Sequence, residues 1–262
     1  MSARRLLWFT FIALLATLTL AGCSHAPARN PLAIWKPSPN VSARRAQLIV
    51  VHATESPSLA SALDTLRDRR AVAPVSAHYL IAEDGTRYQL VADAMRAWHA
   101  GAGQWGDIDD VNSASIGIEL DHRGDTPYPP RQIASLIVLL RDLTARLGID
   151  PRQVIGHADL APARKSDPGP SFPWGELAAA GFGRWSREPL PTPPDGFDPW
   201  LALRLVGYPL DDRAATVRAF HEHYRGNRAD TLDACDAVIL YDLQQQLLGP
   251  ADAAAPDDEA HP

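Results

Sequence analysis

QLIVVHATESPSLASALDTLRDRR, residues 47–70, begins as one kind of element and continues as another. Leu48, Ile49, Val50 and Val51 form an unbroken apolar run, mostly β-branched, that stops at His52. Such a run is the pattern of a strand covered on both faces. Ser56 and Pro57 then supply an N-cap and a first-turn proline, predicting a helix through about Arg69. Further along, HYLIAEDGTRYQLV (78–91) reads as two strands about an Asp84-Gly85 turn, and SIGIEL (115–120) as a buried strand carrying Glu119. Residues 130–147 repeat apolar side chains at helical spacing, with Gly148 as the C-terminal cap, and VIGH (154–157) makes a last short strand. Strands interleaved with helices over residues 46–183 predict an α/β domain with a central sheet, its chemistry at the strand ends.

The chain opens with Arg4 and Arg5, followed by an uncharged, mostly apolar run over residues 6–20. That run is about half to three quarters of the length a membrane-spanning helix needs, so residues 1–22 read as a signal peptide. Its end, Leu20-Ala21-Gly22-Cys23, resembles the bacterial lipobox, in which the cysteine is lipidated; a plain secretory signal with a chance cysteine is the alternative. Ser24 after Cys23 resembles outer-membrane sorting, predicting a lipid anchor facing the periplasm. The only other cysteine is Cys235, so a lipidated Cys23 leaves no intramolecular disulfide. Cys235 lies in a helical pattern and is expected to be a small buried hydrophobe. Losing Arg4 and Arg5 moves the formal charge from −6 to −8, which argues against a nucleic-acid partner.

Residues 23–45 hold several prolines and read as a tether, and residues 184–197 as a proline-rich linker. Three helical patterns between 198 and 249, at about 198–206, 213–225 and 231–248, make a small C-terminal three-helix module, and residues 250–262 a disordered tail.

Nine histidines invite a metal reading. His25 and His261 lie near the ends and His122 enters a Gly-Asp turn, so all three are expected to be solvated. His221 and His223, two apart on a helix, point to different faces and make a poor ligand pair. His52 and His157 differ, because each ends a run of strand-forming residues. A hydrolytic zinc takes three His or carboxylate ligands and keeps a fourth position for water. Asp167, ten residues after His157 across a proline-rich loop, can complete the set. An aspartate opening a turn before Pro168-Gly169 has the same local appearance, and composition alone favours that plainer reading.

The segments IVVHATES, SAHYLIAEDGTRYQLV, WHAG, SIGIEL and GHADLAPARKSDPGPSFPW, in that order over residues 46–180, resemble the type-2 family of zinc-dependent N-acetylmuramoyl-L-alanine amidases, whose fold is shared with peptidoglycan recognition proteins. The resemblance implies a central mixed β-sheet flanked by helices. It implies Zn2+ held by His52, His157 and Asp167, with Glu119 and Lys165 as catalytic residues. Without it, Glu119 is a solvent-facing strand-end carboxylate and Lys165 a surface cation. It also implies peptidoglycan and muropeptides as partners, and cleavage between the muramic lactyl group and L-alanine; a monomer is expected, though nothing in the sequence fixes the oligomeric state. His99 is then a substrate-contact or structural residue, and His78 packs or shapes the cleft.

Two rivals remain at this stage: a non-catalytic peptidoglycan binder on the same fold, and a zinc peptidase cutting within the stem. The intact ligand set argues against the first, and no HExxH helix supports an ordinary zincin. The C-terminal helices fit either wall binding or packing against the first domain.

Overall fold

The computed structural model describes residues 29–43 and 46–249; the signal segment, Cys23, His25, His261 and the 250–262 tail lie outside the described residues. Strand β3 (Leu48–Ala53) is buried at all six positions. It sits between β7 (Ser115–Leu120) and β8 (Val154–Gly156), parallel to both. Beyond β7 lie β4 (Tyr79–Ile81), parallel to it, then β5 (Arg87–Gln89), antiparallel to β4, then β1 (Ile34–Trp35), giving the six-stranded order β1-β5-β4-β7-β3-β8. A second, two-stranded ribbon pairs β2 (Ser42–Ala43) with β6 (Met95–Arg96). The sheet is therefore mixed, and the Asp84-Gly85 hairpin supplies the antiparallel pair.

Side-chain alternation sends successive residues to opposite faces, and both faces are covered. Ile49, Val51, Ile116, Ile118 and Val154 pack with Ile133, Leu136, Leu139, Leu140 and Leu143 of helix α3 (Pro130–Leu147). That helix starts with proline in its first turn, where no intrahelical donor is needed, and stops at Gly148 in the left-handed region (φ 67°). The opposite-face residues Leu48, Val50 and Ile155 pack with Ala202 and Leu203 of α6 (Pro199–Val206), Phe220 of α7 (Arg213–Tyr224) and Leu240 of α8 (Ala234–Leu248). The result is three layers, with the C-terminal helices sharing an apolar cluster with the sheet. Residues between α5 (Trp174–Ala179) and α6 are fixed too: Arg187 N–H donates to Asp242 Oδ2 at 2.9 Å, and Gln246 Nε2 to the Trp185 carbonyl at 2.8 Å.

Three local expectations are corrected. Helix α1 is Leu59–Thr65 and its cap is Ser58, whose hydroxyl accepts from Ser61 N–H; Ser56 instead hydrogen-bonds to Thr54, and the helix ends short of Arg69. Cys235 is exposed, because α8 turns Asp236, Ile239, Leu240 and Leu243 inward and leaves position 235 on the outer side. His122 is buried rather than solvated: its ring stacks on Tyr128 at 3.8 Å and its Nδ1 accepts from Gly124 N–H.

Candidate metal centre

Three parallel strands point their C-terminal ends the same way, and this direction assembles the site. The register pairs His52 of β3 with Glu119 of β7, and Val51 with Gly156 of β8, so His157 follows directly beside His52. His157 opens the short helix α4 (His157–Leu160). From there the chain doubles back: Lys165 and Arg164 N–H both donate to the Ala161 carbonyl, and Ala158 N–H donates to the Asp167 carbonyl at 2.9 Å. The proline-rich loop thus returns Asp167 to the histidine ten residues earlier. His52 Nδ1 and His157 Nδ1 lie 2.9 Å apart, and Asp167 Oδ2 is 3.2 Å from the first and 3.1 Å from the second. All three side chains are buried.

Their far sides decide which atoms carry protons. His157 Nε2 lies 2.9 Å from the Ala100 carbonyl, which can only accept, so this nitrogen holds the ring hydrogen. On the other ring the chain of contacts is longer. Ser115 hydroxyl donates to the Val111 carbonyl at 2.5 Å, so Ser115 Oγ accepts from His99 Nε2 at 3.1 Å. That leaves His99 Nδ1 as the acceptor for His52 Nε2 at 3.0 Å. Burial first, and the His157 ring second, push the His52 imidazole down to about 4, so it is neutral at pH 7. Both Nδ1 atoms therefore present lone pairs to each other and to a carboxylate oxygen. Three acceptors facing one another with no hydrogen between them are a repulsive set that a cation relieves. Two imidazoles and a carboxylate are zinc's ligands in hydrolytic sites, and donor separations near 3 Å suit a tetrahedron with bonds of about 2.0–2.1 Å. Among the described residues this is the one His/Cys/Asp/Glu group whose donor atoms converge in this way.

Glu119 lies on the same sheet face as His52, and its Oε2 is out of solvent without a hydrogen-bond partner among the described residues. Burial chiefly, and the Asp167 carboxylate next, raise its pKa to about 8. Lys165 is partly buried, and its charge is felt at both Glu119 and His52, so it lies near both. The structure thus gathers all five residues singled out in the sequence.

The supporting residues were less visible there. His99, set aside as contact or scaffold, touches a ligand ring directly. Gly117 is what admits it: a Cβ at this strand position would lie 2.4 Å from His99 Cγ. On the short helix α2 (Val111–Ala114), Asn112 Oδ1 accepts from both His99 and Ala100 N–H, fixing the segment that carries the relay. Arg164 donates to the Ala100 and Ala102 carbonyls, tying the ligand loop to that segment. His78 is buried, and its Nδ1 accepts from Gly117 N–H, a scaffold role. His221 and His223 do face different partners, Asp236 and Asp159 respectively.

The sequence profile described as N-acetylmuramoyl-L-alanine amidase, Amidase_2, matches residues 42–170. The chain is 38% identical over 259 residues to N-acetylmuramoyl-L-alanine amidase AmiD of Escherichia coli K12, an alignment covering 85% of this chain and 90% of that one. Among solved structures, E. coli AmiD in complex with the substrate anhydro-N-acetylmuramic acid-L-Ala-D-γ-Glu-L-Lys superposes with a TM-score of 0.69 at 33% identity, covering 78% of this chain and 91% of the other. AmpDh3 of Pseudomonas aeruginosa with an anhydromuramic pentapeptide gives the same TM-score at 31% identity, over 85% and 97% of the two chains. At 38% identity over 85% of its length to one such amidase, and with the family profile matching residues 42–170, the chain belongs to the Amidase_2 family of N-acetylmuramoyl-L-alanine amidases.

Proposed function

We propose that this chain is a zinc-dependent N-acetylmuramoyl-L-alanine amidase that hydrolyses the amide between the muramic lactyl group and L-alanine of the peptidoglycan stem, in wall turnover or recycling. The observation that carries this reading is the buried triangle of His52 Nδ1, His157 Nδ1 and Asp167 Oδ2, three acceptors whose ring tautomers are set from behind. Zinc, when bound there, would lower the pKa of water and polarise the scissile carbonyl.

The rest falls to the protein's own groups. Glu119, held on the adjoining strand end, takes the proton from the attacking water and returns it to the departing alanine nitrogen. Its unpartnered Oε2 is the atom free to do so. Lys165 faces the carbonyl oxygen as negative charge collects on it, a contribution worth roughly 3–4 kcal/mol where single donors have been removed from comparable sites. Burial of His52 keeps its ring neutral, a ligand rather than a competing acid. Outside the described residues, we assign lipidation to Cys23 and an outer-membrane, periplasm-facing location, on the lipobox-like Leu20-Ala21-Gly22-Cys23 and on Ser24. A monomer suffices, since all five residues come from one chain.

The test is mass spectrometry of products from defined muropeptides, with and without chelator. Free stem peptide beginning at L-alanine, lost on chelation and restored by zinc, is expected. Cuts within the stem would replace the amidase by a peptidase, and binding without any cut would make the chain a wall-recognition protein.

A further inference from the structure

The sheet edge at β1, remote from the metal triangle, carries a basic and apolar surface that the reaction does not use. The loop after α1, residues 67–75, is clasped to the N-terminal arm at both ends. Arg67 Nε donates to the Pro37 carbonyl at 3.2 Å, and Asn40 Nδ2 donates to the Val75 carbonyl at 3.1 Å. Between these clasps Arg69, Arg70 and Val72 stand in solvent, with Val72 fully exposed. On the arm beside them Ile34 of β1 is 49% exposed, and Lys36 is exposed as well.

Residues 29–41 and 58–75 hold Arg29, Lys36, Arg67, Arg69 and Arg70 against Asp64 and Asp68, a net charge of +3 in a chain of −6. None of the five cations forms a salt bridge among the described residues. Unpaired cations beside protruding apolar side chains match a bilayer that bears anionic headgroups. Two lengths agree with that partner. Five residues separate Cys23 from Arg29, so a lipid on Cys23 attaches within about 21 Å of the arm. The strand register runs His52, Glu119, Leu80, Tyr88, Ile34, which sets Ile34 about 19 Å from His52 across the sheet.

We infer that this edge docks on an anionic phospholipid bilayer, with Arg69 and Arg70 at the headgroups and Val72 and Ile34 entering the interface. The inference rests on the lipidation of Cys23 proposed above, which brings the chain to the surface. Docked in this way, the sheet stands on its β1 edge and holds the metal cleft about 19 Å from the headgroups, where a free tether would let it swing.

The experiment uses the mature chain purified from membranes, with Cys235→Ser to remove the exposed thiol. A fluorophore is attached at Val72→Cys, at Ile34→Cys or, for comparison, at Leu201→Cys on α6, itself exposed. The chain is placed on vesicles of phosphatidylethanolamine and phosphatidylglycerol that contain a headgroup-nitroxide lipid as quencher. Quenching at Val72 and Ile34 well above that at Leu201 is expected, falling toward the Leu201 level when phosphatidylcholine replaces phosphatidylglycerol. Arg69→Gln with Arg70→Gln should lower the docked-to-free ratio about thirtyfold, at about fivefold for each cation. Zinc content and cleavage of soluble muropeptides should stay at the wild-type level. Equal quenching at the three labels overturns the inference and leaves the anchor standing. Loss of sacculus binding in the double variant, with quenching unchanged, also overturns it and gives the surface to a wall polymer. Mass spectrometry of Cys23 tests the anchor separately. If Cys23 is unmodified, salt-sensitive vesicle binding that the double variant loses upholds the surface without the anchor, and absence of binding overturns both.

Discussion

Glu119 occupies a position that its role demands and its stability resents. A carboxyl whose folded pKa of about 8 lies above the ordinary 4.5 binds its proton more tightly in the folded chain. That linkage favours folding below about 4.5, and the advantage is lost as pH rises toward 8 in the metal-free protein. At pH 7 the deficit is up to about 3 kcal/mol, less in proportion to the water reaching the carboxyl. Metal-free Glu119→Gln should therefore melt higher than metal-free wild type, with a gap that widens from about pH 5 to about pH 8. In the zinc-loaded protein the same substitution should lower kcat by about 10²–10⁴. A melting temperature equal to wild type across that range would show that the site does not strain this carboxyl. Ser115 belongs to the same scale. Its hydroxyl is the point where a backbone carbonyl fixes the direction of the His99 and His52 protons. Ser115→Ala should cut zinc affinity about tenfold or more, measured by competition with a chelating dye, because the His99 ring then loses the acceptor on its Nε2 side. Unchanged affinity would mean that the relay does not set the tautomer.

At the scale of elements, what could be read in advance and what could not divide along a physical line. Strands β3 and β7 and helix α3 were legible because their patterns are local: unbroken apolar runs for covered strands, an apolar stripe with proline at one end and glycine at the other for the helix. The beginning of α1 is ambiguous in sequence because Ser56 and Ser58 both offer a cap, and only the hydrogen bond to Ser61 N–H chooses between them. His122 looked like a turn residue because Tyr128, which covers it, says nothing about its own direction in sequence. His52 and His157 stand out in sequence as strand-end histidines, whereas Glu119 and Lys165 take their roles only from the resemblance and plain composition favours a turn for Asp167. The relay through His99 was out of reach, since it depends on a ring crossing a strand at a glycine. Gly117→Ala tests that crossing. With a Cβ 2.4 Å from the His99 ring, the strand and ring must part, costing about 1–3 kcal/mol of stability and weakening zinc binding along with it. Wild-type melting and wild-type zinc affinity in this variant would show that the close approach is unimportant.

Across the whole molecule, the C-terminal helices and the sheet bury apolar side chains in one another, with Leu203 and Phe220 meeting Leu48 and Val50. That shared cluster predicts a single cooperative unfolding transition rather than two. Leu203→Ala should lower stability by about 2–5 kcal/mol and shift the entire transition, including the fluorescence of tryptophans near the ligand loop such as Trp174. An early, separate melting of the helices alone would indicate two independent units. The same layering explains why the metal triangle is so well buried: both faces of the sheet are closed, and only the strand ends open. The most direct test of the account is zinc-edge X-ray absorption on the purified chain after dialysis. One tightly held zinc is expected, with two imidazole nitrogens and oxygen donors at about 2.0–2.1 Å, and Asp167→Asn or His157→Ala should abolish that signature. Loss of zinc from the wild type on dialysis, or a retained ion with fewer than two imidazoles around it, would contradict it.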